Sequence, residues 1–418
     1  MKWLLPKLIR MPRDLDSVTT TDSASEADPA AADLSGKAVR RIWRATRDLY
    51  RTRVFPAITL CVRRNGYVVL NRALGHAEGN GPDDAPTAAK RLATPETPVC
   101  TFSATKAITA TLVHKLAEEG AIRLEDCVSK YIPEFAQNGK GMTTIAEVLS
   151  HRGGFPMFDL PKDEIHTETL LDWQRCIKLI CNAPPTHRSG PRLSYHAVTG
   201  GYIVAEILQR VTGYTLQQYL DEKIRRPLGM TYFTYGLAPE HRAKAALNYA
   251  AGVPVVFPIS KLLERALILP MQGVIDVSNT AIFKEAVVPA GNLYCTAEEL
   301  SRFYQMLLDG GVWNGREVLR RETVARLQRP ACNLQLDHTL KIPMRYSEGF
   351  MLGANPFGIF GPMTGKAYGH LGFMNILGWA DPARGLSVGL LVTGKSVLGT
   401  HLFALGEFLT TLAWQCRA

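Results

Sequence analysis

Thr101-Phe102-Ser103-Ala104-Thr105-Lys106 runs without a break into Ala107-Ile108-Thr109-Ala110-Thr111-Leu112-Val113. The extended, Pro-punctuated segment from Thr94 to Cys100 ends there, and a helical pattern begins that reaches Glu119 with Gly120 as its C-cap. Ser103 stands in the expected first turn and Lys106 three residues on. Positions i and i+3 share a helix face, so the hydroxyl and the amine can meet. The helix start adds free backbone N–H groups and the positive end of the dipole. A serine hydroxyl is a poor nucleophile and needs a base beside it plus an oxyanion site. A lysine can be that base only where burial holds it neutral part of the time. The same residues also describe an ordinary helix cap, so the rest of the chain has to decide.

At 418 residues and 46% hydrophobic, the chain can bury a large core, in one enzyme-sized unit with two subdomains. Ordinary Gly and Pro usage and the lack of internal repeats exclude solenoid and low-complexity classes. The formal net charge of +10 invites a nucleic-acid reading. Yet the densest basic cluster (Arg40, Arg41, Arg44, Arg47, Arg51, Arg53) is interleaved with Val39, Ile42, Trp43, Leu49 and Tyr50. That is the pattern of an amphipathic helix with a solvated basic face, and no nucleic-acid partner is expected. The eight cysteines form no C-x-x-C pair, and although Cys176, Cys181 and His187 lie close in sequence, no metal site is expected there. They read as reduced thiols in a reducing compartment. In Met1-Lys2-Trp3-Leu4-Leu5-Pro6-Lys7-Leu8-Ile9-Arg10 the apolar run is interrupted, and no cleavage site follows. No stretch reaches the roughly 18 apolar residues of a membrane span. A cytoplasmic location is expected, and residues 1–11 could make weak peripheral contact with a membrane.

Residues 1–36 are expected to be an N-terminal segment outside the fold, because 13–35, rich in Asp, Ser, Thr and Ala, read as a disordered tether. The folded domain is expected to span 37–418. Ala57–Val62 and Tyr67–Leu70 flank Asn65-Gly66, a strong hairpin signal. Turn-broken helical sequence fills about 124–290, an inserted helical subdomain, and Gly201–Leu208 within it reads as a buried helix. Residues 253–275 are apolar enough to be either core or a lid over a site. Helices return at Thr296–Asp309 and Glu322–Gln328, then strands at Asn375–Ala380 and Leu386–Val392 and a last helix from about His401 to Trp414. Strands near both ends predict an α/β (α+β) architecture, with one antiparallel sheet built from the two termini and flanked by helices.

Several stretches in order resemble the serine β-lactamase and penicillin-binding-protein family, in its class C-like esterase branch, which includes family VIII-type carboxylesterases. Thr101 to Lys106 resembles its S-x-x-K nucleophile motif. Val148-Leu149-Ser150-His151-Arg152-Gly153-Gly154-Phe155 is similar to "LLSHxSG", and Leu193-Ser194-Tyr195-His196-Ala197 to the tyrosine motif. Pro289 to Leu300 resembles "PAGGLYSTAxDL", and Tyr368-Gly369-His370-Leu371-Gly372-Phe373 the third, KTG-type motif. The resemblance covers most of the chain after residue 50 and implies the β-lactamase/DD-peptidase-like fold. It implies Ser103 as nucleophile, Lys106 as its base and Tyr195 in the proton relay. The N–H groups of Ser103 and Phe373 would form the oxyanion hole, with His370 and Gly372 in the substrate-binding edge. No metal or organic cofactor is implied.

Two departures point away from β-lactams. The family's Asn two residues after the tyrosine is Ala197 here, which cannot hold a substrate amide, and the third motif opens with His370 in place of a lysine. Histidine is largely neutral at pH 7. The expected activity is therefore hydrolysis of small or lipophilic carboxylic esters through an acyl-enzyme. The alternatives are a β-lactamase or D-amino-acid peptidase, an acyltransferase using the same intermediate, and a catalytically silent scaffold. Gly389-Leu390-Leu391-Val392-Thr393-Gly394-Lys395-Ser396 matches a phosphate-loop pattern, but its Leu-Leu-Val continues a strand and leaves no open cradle of N–H groups.

Overall fold

The computed structural model describes residues 5–158, 167–267 and 269–417. Ala57–Arg64 and Tyr67–Glu78 pair antiparallel, with Arg64 opposite Tyr67. Asn65 (φ 51°) and Gly66 (φ 86°) between them are both left-handed, as a two-residue hairpin turn that follows the strand twist requires. Strand Leu386–Val392 then lies along Ala57–Arg64, which joins the two ends of the chain in one sheet. The order is Thr19–Thr21, Tyr67–Glu78, Ala57–Arg64, Leu386–Val392, Ile376–Asp381, Tyr368–Gly372, Met351–Leu352, with Arg91–Leu92 as an eighth strand on Tyr67–Glu78. Each of these pairings is antiparallel.

Every residue of Ala57–Arg64 and Leu386–Val392 is buried, so the centre of the sheet is covered on both faces. Helix Ala297–Leu308, opened by a Thr296/Glu299 capping box, lies against Gly378 and Gly389, which are cross-strand partners. A Cβ on Gly389 would come 2.3 Å from the Ala297 carbonyl oxygen. Helices Gly36–Arg51 and His401–Gln415 pack on one another. The first buries Val39, Ile42, Trp43, Leu49 and Tyr50 and leaves Arg40, Arg41 and Arg44 exposed, as its periodicity predicts.

The expected tether is part of the fold. Thr19–Thr21 forms the sheet edge beside Arg72–Leu74, and Ile9, Leu15, Val18, Ala32 and Leu34 are buried. Glu26 takes two 2.7 Å hydrogen bonds from Arg72, and Lys7 exchanges backbone bonds of 2.8 and 2.7 Å with Gly252. The apolar anchors here are few and irregularly spaced. The Asp residues that made the segment look solvated instead close turns: Asp14, Asp22 and Asp28 accept N–H groups two or three residues on. Residues 1–4 of the expected membrane-contact segment lie outside the described residues.

Short helices and loops fill the middle of the chain, among them Trp173–Asn182 and Thr199–Thr212. The described part of 253–275 divides: Val253, Val256 and Phe257 are exposed, while Leu269 and Ile275 are buried. The phosphate-loop look-alike is ruled out, because Leu386–Val392 is paired on both sides and Gly394–Lys395 pairs in parallel with Tyr249–Ala250. Among the described residues no helix is long and apolar enough to cross a membrane.

Candidate active site

The turn that carries Ser103 is anchored before it begins. Val99–Cys100 pairs with Leu293–Cys295, and the Thr101 N–H donates to the Leu293 carbonyl at 2.8 Å. The chain then reverses through Phe102, whose φ of 46° is left-handed, into the single 3-10 turn Phe102–Ala104 and helix Thr105–Glu118. For an aromatic residue that backbone costs on the order of 1–2 kcal/mol. Neighbours hold it: Thr105 Oγ1 accepts from the Leu293 N–H at 3.1 Å and lies 3.0 Å from Thr101 Oγ1.

This turn brings Ser103 and Lys106 together. Lys106 Nζ hydrogen-bonds Ser103 Oγ at 3.1 Å and the Ala290 carbonyl at 2.9 Å, and sits 5.0 Å from the centre of the Tyr195 ring. Both hydrogen-bond partners are neutral and Lys106 is buried, so desolvation pulls its amine down to about 7. At neutral pH a large fraction is therefore an amine with a free lone pair, able to take a proton from the hydroxyl.

Burial pushes the Tyr195 phenol up, and the Asp337 carboxylate adds to this, while the phenol's interaction with the Ser103 side chain opposes it. Asp337, which no motif singles out, fixes the backbone of Tyr195. Its Oδ1 accepts N–H groups from Tyr195 (3.2 Å), Thr339 (2.8 Å) and Leu340 (3.0 Å), and its Oδ2 accepts from the Tyr346 hydroxyl at 3.3 Å.

The end of strand Tyr368–Gly372 abuts the same turn. A Cβ on Gly372 would lie 2.4 Å from the Thr101 carbonyl oxygen, so only glycine permits the approach. Phe373 follows just beyond the last paired residue of that strand, its ring edge-on to Phe102 at 5.2 Å. The Ser103 N–H lies in a first turn, where helices leave such groups without intrahelical partners. His370 is buried, with Nδ1 2.7 Å from the Leu371 carbonyl and Nε2 without a partner. Burial first, and Lys106 second, push His370 down to about 3, so its imidazole is neutral at physiological pH.

Two further histidines join this wall. His151, left-handed at φ 61°, places its ring 4.6 Å from Tyr195, and its Nδ1 accepts the His196 N–H at 3.2 Å. Burial holds His151 well below its ordinary value and His196 at about 3, and both ring nitrogens of His196 lack partners. With Lys106, Gly200 and Gly201 the two histidines line a cavity of about 30 Å³, room for a water. Both residues stand in the quoted motifs, but nothing in their spacing signals a cluster. Among the described residues no three His, Cys, Asp or Glu side chains are placed to hold a metal ion, and Cys176, Cys181 and His187 do not converge on one.

Residues 39–403 match the Beta-lactamase family model. Over 302 residues the chain is 30% identical to Esterase/beta-lactamase LipL of Mycobacterium tuberculosis, which covers 69% of this chain and 68% of LipL. A family VIII carboxylesterase of solved structure matches with a TM-score of 0.77 and 25% identity, over 92% of this chain and 98% of that one. A penicillin-binding protein homolog from Caulobacter crescentus reaches the same TM-score at 23% identity, over 91% and 98%, a likeness of fold. The antiparallel sheet joined from both ends of the chain is thus the β-lactamase-like architecture, and the chain belongs to the beta-lactamase family, a family of serine hydrolases.

Proposed function

We propose that the protein is a carboxylesterase that hydrolyses small or lipophilic esters through an acyl-enzyme on Ser103. The observation that carries this reading is the 3.1 Å contact between Ser103 Oγ and a buried Lys106 amine brought down to about 7. Lys106 takes the hydroxyl proton as Oγ attacks the ester carbonyl. The Ser103 and Phe373 N–H groups stabilise the oxyanion, and the alcohol leaves with a proton returned through Lys106 and Tyr195. Water, activated by the same pair, then resolves the acyl-enzyme. An alcohol in place of that water would make the same intermediate a transesterification.

Preference for esters over β-lactams is supported by the residues at two motif positions. Ala197 offers no amide, and His370 is neutral where a carboxylate-bearing substrate needs a cation. The double name of LipL favours β-lactam hydrolysis as the second reading. All eight cysteines are free thiols and six of them are buried, which supports work in a reducing, cytoplasmic setting. Wild type should turn over p-nitrophenyl butyrate and take a fluorophosphonate label, while Ser103→Ala does neither. Equal behaviour of the two proteins would end the enzyme reading, and nitrocefin hydrolysed faster than short esters would reverse the order of substrates.

A further inference from the structure

Lys395 takes no part in the steps above. It is the lysine of the stretch that imitates a phosphate loop, and it is wholly buried. Its Nζ donates to the Val392 carbonyl at 2.9 Å, and no ion pair to it is found among the described residues. A buried amine without a carboxylate is costly, and an apolar side chain of the same length would avoid that cost. What the amine does meet is a ring: Nζ lies 4.7 Å from the centre of Phe102. Phe102 in turn meets Phe373 at 5.2 Å and 62°, edge to face.

These two rings belong to the backbone that presents both oxyanion donors. Phe102 is the left-handed residue immediately before Ser103, and Phe373 carries the second N–H. The ribbon bearing Lys395 is itself fixed. A Cβ on Gly394 would lie 1.7 Å from the Val54 carbonyl oxygen, Gly394–Lys395 pairs with Tyr249–Ala250, and Asn375 Nδ2 donates to the Ser396 carbonyl at 3.2 Å. Burial draws the Lys395 amine down to about 7, and the π face of Phe102 favours its charged form.

We propose that Lys395 is a positioning residue for the oxyanion site: through the face of Phe102 and the Phe102–Phe373 contact it holds the Ser103 and Phe373 N–H groups in register with one another. The inference rests on the acyl-enzyme reading above. Preorganised donors act on the transition state rather than on substrate binding, so loosening them lowers kcat and leaves KM alone.

The test uses the full chain as Lys395→Met, Phe102→Leu and the double variant, with p-nitrophenyl butyrate kinetics, fluorophosphonate labelling rates and near-UV circular dichroism. Each single variant should lose about tenfold or more in kcat and in labelling rate, with KM within about twofold of wild type. The double variant should be no worse than about twofold below the weaker single, because both remove one contact. Unchanged kcat in Lys395→Met, a loss confined to KM, or single effects that multiply in the double variant would each overturn the proposal. If Lys395→Met loses its near-UV spectrum, Phe102→Leu alone decides, and a kcat equal to wild type overturns it. Failure of the acyl-enzyme reading is distinguishable, because wild type would then match Ser103→Ala.

Discussion

The two walls of the cleft treat their polar groups differently. On the wall that carries Ser103 the polar side chains are partnered: Lys106 has Ser103 and Ala290, Thr101 has Leu293, and Thr105 has the Leu293 N–H. On the facing wall His370 Nε2 and both nitrogens of His196 have none. A fully partnered set fixes one geometry, whereas unpartnered neutral imidazoles offer hydrogen bonds without demanding a charge in return. The Ser103–Lys106 geometry is therefore closely specified, while the histidines opposite it are uncharged. On the ester reading proposed above, such a site would keep acyl transfer and have no preference for anionic substrates.

The largest effect should come from breaking the Ser103 wall. Ser103→Ala and Lys106→Met should each cost about 10³-fold or more in kcat for p-nitrophenyl butyrate, and the double variant little beyond either, because the pair acts as one unit. Independent, multiplying losses measured in that cycle would separate the two residues.

The facing wall should be felt first in acid stability. Burial holds His196 and His370 at about 3, with His151 well below its ordinary value. Below the unfolded value near 6.5 the unfolded chain binds protons that the native chain refuses, so stability falls as pH falls. The loss continues until the native values are reached. Each histidine contributes about 1.4 kcal/mol per pH unit across that window. The urea midpoint should therefore drop between pH 7 and pH 5.5, before the carboxylates titrate, and less steeply in His370→Phe. A flat midpoint over that range would mean that these rings are accessible to protons in the native state.

Next in size, His370→Lys places a second cation beside Lys106. The pH at which kcat/KM is half-maximal should move below 7, and nitrocefin turnover relative to ester turnover should rise about tenfold. An unmoved midpoint would show that position 370 does not act on Lys106. The smallest change expected is from Ala197→Asn: ester kinetics within about threefold of wild type, with nitrocefin turnover rising by a similar factor. A large loss of esterase activity there would mean that Ala197 is needed for packing the ester itself.

The difference between the walls also marks what the sequence made legible. Ser103, Lys106 and the Asn65-Gly66 hairpin were readable because local rules dictate them: a helix face, a helix start, a turn that needs two left-handed residues. The strands Leu386–Val392 and Ile376–Asp381 were readable from their apolar runs. Asp337 and the pairing of His151 with His196 were not, because each depends on contacts across about 45 to 140 residues that no periodicity records. The N-terminal segment failed for a different reason. Three threonines at a sheet edge and Asp-closed turns have the composition of a solvated linker, and only the burial of Ile9, Leu15 and Val18 distinguishes them from one.

The most direct test of the account is mass-spectrometric mapping of the acyl or phosphonyl adduct on the intact protein, followed across pH. The prediction is a single adduct on the peptide containing Ser103, formed at a rate that rises with pH and is half-maximal at about 7, where Lys106 gives up its proton. An adduct on another residue, or a half-maximal rate above pH 9 as for an ordinary lysine, would contradict it.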